Sequence, residues 1–172
     1  MTKRRGIMTD LLAFQVAFVA ILLLATASDI RSLRIPNLLP ALMIVLFLAA
    51  WVWGFPFRDP IWSHLAHFAL ALAAGMALFH FRWFGGGDAK LYAAVALWFG
   101  LGDAVLLLLL TALTGALVVV VRMLFHIFRA LAFDSGPPEH RRRLFERKIP
   151  YGIAIAAGGI VTLLQTYPWS PS

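Results

Sequence analysis

The chain contains no cysteine. That excludes disulfides, thiolate metal sites and cysteine catalysis. Charge is scarce too: Asp, Glu, Lys and Arg make up 13% of the residues, about half the share usual in a soluble domain. No soluble domain, flexible linker or internal repeat stands out in the pattern. The net charge is +7, yet basic residues do not alternate with base-stacking aromatics as they do on a nucleic-acid surface. They fall between apolar runs, as the positive-inside rule arranges them, so no nucleic-acid partner is expected.

What the chain has is apolar sequence, 62% of its 172 residues. A span takes roughly 20 apolar residues, so there is room for about six and little else. The runs are 11–28, 38–55, 61–81, 89–100, 104–128 and 149–167. The pattern predicts an all-α, polytopic membrane protein of about six helices, one domain over residues 1–172 in contact with membrane lipid. Asp10 and Asp103 read as N-caps of the first and fifth runs. Lys3-Arg4-Arg5, an apolar core and Ala25-Thr26-Ala27 also resemble a secretory signal with its cleavage site. The run exceeds a usual signal core and further spans follow it, so it is read as the first span.

Residues 129–148, with Arg141, Arg142, Arg143, Arg147 and Lys148, read as a basic cytoplasmic loop. Alternation then puts the loops after the first and third spans at the same face, with Arg31, Arg34, Arg82 and Lys90. Lys3, Arg4 and Arg5 fall on the other face, a misfit that a start at Met8 would remove. The tryptophans mostly fall near span ends, as interfacial anchors do. His64 and His67 are three apart on a helix, a spacing that suits a metal. No third ligand accompanies them, so inter-helix polar contacts are expected, with no metal and no cofactor.

Two polar islands interrupt the apolar sequence: Asp29-Ile30-Arg31-Ser32-Leu33-Arg34-Ile35-Pro36-Asn37 and Phe84-Gly85-Gly86-Gly87-Asp88-Ala89-Lys90. Ionisable groups near a bilayer are functional candidates. The topology puts Asp29 and Asp88 at one face and similar depth. Asp29 ends a helix, where the macrodipole disfavours a carboxylate; Asp88 opens one, where free N–H groups favour it. Asp88, near Lys90, is therefore expected to ionise first and Asp29 to hold a shared proton. Such a pair can activate water against a peptide bond. The three glycines would permit φ > 0 and close approach of another chain. Taken singly, each aspartate also reads as a loop or N-cap residue. In an alternative reading, the pair moves protons or a cation through a small transporter or pilus-assembly subunit.

Gly85-Gly86-Gly87-Asp88 fits the G-x-G-D motif of membrane aspartyl proteases, and its continuation through Ala89-Lys90-Leu91 resembles the type IV prepilin peptidases. Asp29 through Ile35-Pro36-Asn37 is similar to that family's first block, and Lys148-Ile149-Pro150-Tyr151-Gly152-Ile153 to its C-terminal one. The resemblance implies a bacterial inner-membrane endopeptidase without cofactor. It would remove the basic leader from prepilins and pseudopilins at the cytoplasmic face. Asp29 and Asp88 would be catalytic; Arg31, Pro36, Asn37, Gly85, Gly87, Lys90, Pro150, Tyr151 and Gly152 would support them. Larger members carry paired cysteines and also N-methylate the product. This chain looks like the short class tied to Flp-type, tight-adherence pili, for which methyl transfer is not expected. Archaeal preflagellin peptidases share the core pattern.

Overall fold

The computed structural model describes residues 2–133 and 151–167. They form α1 (Thr2–Ser32), α2 (Leu38–Val52), α3 (Ile61–His80), α4 (Gly86–Ala96), α5 (Ala104–Phe133) and α6 (Gly152–Thr166). A 3-10 turn, Leu101–Asp103, leads into α5. There is no strand among the described residues, and the all-α expectation holds. Leu11–Ser32, Ile61–His80 and Leu101–Arg129 are long and apolar enough to cross a bilayer, which marks a membrane protein. The other three helices are shorter than expected for spans. α2 and α6 have 15 residues each and rise about 22 Å, against a hydrocarbon core about 30 Å thick. α4 has 11 residues and rises about 16 Å.

Two boundaries differ from the sequence reading. α1 starts at Thr2, so Asp10 lies inside the helix and is not its N-cap, and Ala25-Thr26-Ala27 continue the same helix unbroken. α5 runs on to Phe133. The rest of the basic segment and Pro150 lie outside the described residues.

The bundle is built around α4. Ala89, Leu91 and every residue from Ala93 to Phe99 are buried. Beyond Lys90 the segment is apolar on nearly all sides, which belongs at a core, and its alanines let neighbours come close. α3 crosses it at Gly75, where an added Cβ would lie 2.9 Å from the Ala89 Cβ. α6 approaches through Gly159, where a Cβ would lie 3.0 Å from Val95. Trp98 is fully buried and donates its indole N–H to the Met43 carbonyl of α2 at 3.2 Å. It is a core residue rather than the interfacial anchor expected of tryptophan; Trp53, Trp62 and Trp83 are exposed.

α4 stops at Ala96, which leaves carbonyls in the core without helical partners. Unsatisfied backbone is not tolerated at membrane depth. The first two turns of α3 satisfy it. His64 Nδ1 meets the Leu97 carbonyl at 3.0 Å and His67 Nδ1 the Phe99 carbonyl at 2.9 Å. The Leu101 N–H donates to Ser63 Oγ at 2.8 Å. These histidines are inter-helix polar contacts, as expected, and they fix where α4 lies along α3.

Candidate active site

On α1, Gln15, Phe18, Leu22, Ala25 and Asp29 are buried. Their spacing of three, four, three and four residues makes one stripe along the helix. The stripe that holds α1 against the bundle therefore carries Asp29 inward, and only 5% of the residue stays exposed. Just beyond it the chain turns sharply. Leu33 has φ 52, a left-handed conformation that costs a side-chain-bearing residue about 1–2 kcal/mol. Ser28 Oγ holds the turn by donating to the Arg34 carbonyl at 2.9 Å.

Asp29 meets the start of α6. The Gly152 N–H donates to Asp29 Oδ2 at 2.7 Å, which satisfies one of the free donors of a helix N-terminus. Only glycine fits there, since a Cβ on residue 152 would lie 2.9 Å from that same oxygen. Thr26, one turn back on α1, donates its hydroxyl to the Gly152 carbonyl at 3.4 Å. The first and last helices are thus fastened at both backbone atoms of one residue.

Asp88 lies in the first turn of α4, and its carboxylate accepts from the Gly85 N–H. Gly85 is the N-cap, so Asp88 closes half of a capping box. It is partly buried and faces Asp29 closely enough to feel its charge. Burial first, and the Asp29 charge second, push Asp88 up to about 6, against the opposing pull of the Gly85 N–H. Helix-end stabilisation of Asp88 thus loses to burial and like charge. Lys90 is not a cause of the shift; its Nζ is turned to Asn37 Oδ1 at 3.1 Å.

The glycines serve proximity alone. None of Gly85, Gly86 and Gly87 has positive φ, so that part of the expectation fails. A Cβ on Gly87 would lie 3.1 Å from both the Cβ and the carbonyl oxygen of Ile35. Gly87 thus lets Ile35-Pro36-Asn37 lie across the start of α4, where Lys90 fastens Asn37. Arg31 and Pro36 are exposed beside this junction. Phe84 packs its ring on Tyr151, with centroids 5.5 Å apart. The structure thus brings the Asp29 and Asp88 blocks and Tyr151-Gly152 to one end of the bundle.

Sequence reasoning missed Gly75 and the role of Thr26. Glycine in mid-run and alanine beside Asp88 signalled the first; nothing in residue type signalled the second.

No curated protein and no solved structure matches the chain. Residues 16–120, which contain both aspartates and the junction that joins their loops, match the type IV leader peptidase family, and the chain belongs to that family.

Proposed function

We propose that the chain is an aspartic endopeptidase that cuts the basic leader from Flp-type pilin precursors, with Asp29 and Asp88 as its catalytic residues. The observation that carries this reading is the convergence of the two carboxylates, close enough for the charge of one to raise the pKa of the other. Asp29, charged and held by the Gly152 N–H, takes a proton from water. The hydroxide attacks the scissile carbonyl carbon, and the proton on Asp88 passes to the developing oxyanion. As the tetrahedral species collapses, the C–N bond breaks, and the proton held on Asp29 goes to the leaving amine. The hydroxyl proton returns to Asp88 as the new carboxyl forms. Gly85, Gly87, Lys90, Asn37, Tyr151 and Gly152 hold the two helices and the connecting loop in register; Arg31, Pro36 and Pro150 belong to the same supporting set by motif. No cofactor enters this chemistry.

Arg31, Arg34, Arg82 and Lys90 lie in or beside the loops that carry the aspartates and, counted with the basic residues from Arg129 to Lys148, outnumber Arg58 and the N-terminal Lys3, Arg4 and Arg5 assigned to the other face. That asymmetry supports a multi-pass protein of the bacterial inner membrane with the site at the cytoplasmic face. The Flp-type substrate rests on the motif resemblance and the lack of paired cysteines. Methyl transfer is not part of the proposal.

The test is incubation of the full chain in lipid vesicles with an Flp-type precursor, read by mass. The wild type should release the leader, and Asp29→Asn and Asp88→Asn should insert normally and release none. Cleavage by either variant, or none by the wild type, would overturn the proposal.

A further inference from the structure

Asp88 sits in a turn that is held from two sides. Gly75 and Phe79 are four residues apart on α3, and so share one face of it. Both meet the first turn of α4. A Cβ on Gly75 would lie 2.9 Å from the Ala89 Cβ, 3.2 Å from its Cα and 3.6 Å from its carbonyl oxygen. A Cβ on Gly86 would lie 3.3 Å from the Phe79 ring. Gly86 and Ala89, three apart, share the face turned to α3. Gly87 looks about 160° away from Ala89 at 3.6 residues per turn. It is pressed against Ile35, where a Cβ would lie 3.1 Å from the Ile35 Cβ and carbonyl oxygen. The first turn of α4 is thus wedged between α3 and the loop that follows Asp29, and Asp88 is carried between the two contacts.

The far end of α4 is tied to the same helix. His64 and His67 hold the Leu97 and Phe99 carbonyls, and Ser63 accepts from the Leu101 N–H. A side chain added at Gly75 therefore cannot slide α4 along α3. It tilts α4 about the tied end, and the end that swings is the one with Asp88. Nor does the wedge have slack. A Cβ 2.9 Å from another is at least half an ångström inside ordinary contact, and yielding toward Ile35 meets a contact that is already tight. Ala89 is fully buried and bonded to Asp88, so whatever displaces it displaces the carboxylate.

We propose that Gly75 is a positioning residue for the reaction: its missing side chain sets where Asp88 stands relative to Asp29. It acts through Ala89 and not on the substrate. The inference rests on the endopeptidase reading above and brings into that site α3, a helix that carries neither aspartate.

The test uses the full chain in lipid vesicles with an Flp-type precursor. Gly75→Ala should lower kcat by about tenfold with KM unchanged, on the scale that a displacement below about 1 Å costs. Ala89→Gly removes the crowded Cβ and leaves the Cα as the nearest atom, at 3.2 Å. In an Ala89→Gly background, Gly75→Ala should therefore cost no more than about twofold in kcat. In detergent, the Asp88 carboxyl resonance should leave its midpoint of about 6 in Gly75→Ala and return toward it when Ala89→Gly is added. Gly159→Ala crowds α4 about two turns away, with a Cβ 3.0 Å from Val95. It should lower Tm and leave both kcat and the Asp88 midpoint unchanged. Wild-type kcat in Gly75→Ala, a loss that Ala89→Gly does not relieve, or an Asp88 midpoint that stays in place would show that Gly75 only packs the bundle, and this inference fails by itself. If Gly75→Ala does not insert, adding Ala89→Gly must restore insertion and kcat together, or the inference fails. If the wild type cleaves nothing, both readings fail.

Discussion

Gly152 donates its backbone N–H to Asp29 Oδ2 at 2.7 Å, across 123 positions of sequence. The contact makes the start of α6 a fixture of the proposed nucleophile-activating group. A carboxylate in a buried stripe would otherwise have only α1 to orient it. Gly152→Ala keeps the N–H but adds a Cβ 2.9 Å from the oxygen and 3.1 Å from the Asp29 Cβ. α6 and α1 must move apart by a few tenths of an ångström or more. The expected result is a fall in kcat of roughly ten- to a hundredfold, since misplacement of a catalytic group by about 1 Å costs on that order. Helix content by circular dichroism should not change. Equal kcat in wild type and variant would show that Asp29 needs no such fixture.

The raised pKa of Asp88 sets the pH dependence. Asp88 is pushed up from 3.8 to about 6, so it stays protonated through the mildly acid range. In the proposed mechanism that proton serves the oxyanion, and it is lost as pH rises. The rate constant kcat/KM should therefore fall as pH climbs through about 6, toward tenfold per unit. Stability has the same sign. Asp88 contributes most below its ordinary value of 3.8, and the contribution disappears as pH rises through about 6. Asp29→Asn removes the second cause of the shift but not burial, the first. The Asp88 carboxyl resonance, followed by carbon-13 NMR, should then titrate below about 6 and still above 3.8. A midpoint unmoved by the substitution would mean that the two carboxylates do not interact.

Much of this site was legible because lipid makes polar residues conspicuous. Asp29, Asp88 and the glycines between apolar runs could be picked out before any fold was known. Gly152 stood out through its motif, but its role did not, since a backbone N–H is the same in every residue but proline. The raised pKa of Asp88 was not legible for a related reason. A helix N-terminus is visible in sequence, while the burial and like charge that outweigh it exist only after α1 and α4 pack. The fold was legible in number and kind of helix and less so in length. α1 ends at a left-handed leucine, Leu33, rather than at a glycine or proline, so its last turn was placed too early and Asp29 too near a loop. Ile35 stood in the first motif block, but its role gave no signal, because what it meets is the missing side chain of Gly87.

His64 and His67 separate structure from chemistry. His64 is fully buried, and His67 is 4% exposed. Each holds a carbonyl at the broken end of α4. His64→Ala leaves the Leu97 carbonyl unpaired, at a cost of about 1–3 kcal/mol, with a further loss for the cavity. Thermal unfolding in detergent should show a lower Tm for this variant and for His67→Ala. The folded fraction should retain its kcat, because both residues lie at the opposite end of α4 from Asp88. A full loss of kcat in well-folded His64→Ala would place that end of the bundle in the reaction.

Lys90 and Asn37 offer the sharpest check on how the two aspartate blocks are joined. Their side chains meet at 3.1 Å, and both residues are exposed, so the bond adds no more than about 1 kcal/mol to stability. Its consequence is positional: it holds the loop that ends α1 against the helix that begins with Asp88. Lys90→Met and Asn37→Ala should each lower kcat/KM by about tenfold, with Tm nearly unchanged. The double variant should be no worse than either single one, because the second substitution removes a partner already lost. A cycle measured on kcat/KM would then give a coupling energy near the full effect of one substitution, about 1.4 kcal/mol. Additive losses would show that Lys90 and Asn37 act separately, one on the substrate and one on the loop. The loop after α1 would then be held on the start of α4 by the contact of Ile35 with Gly87.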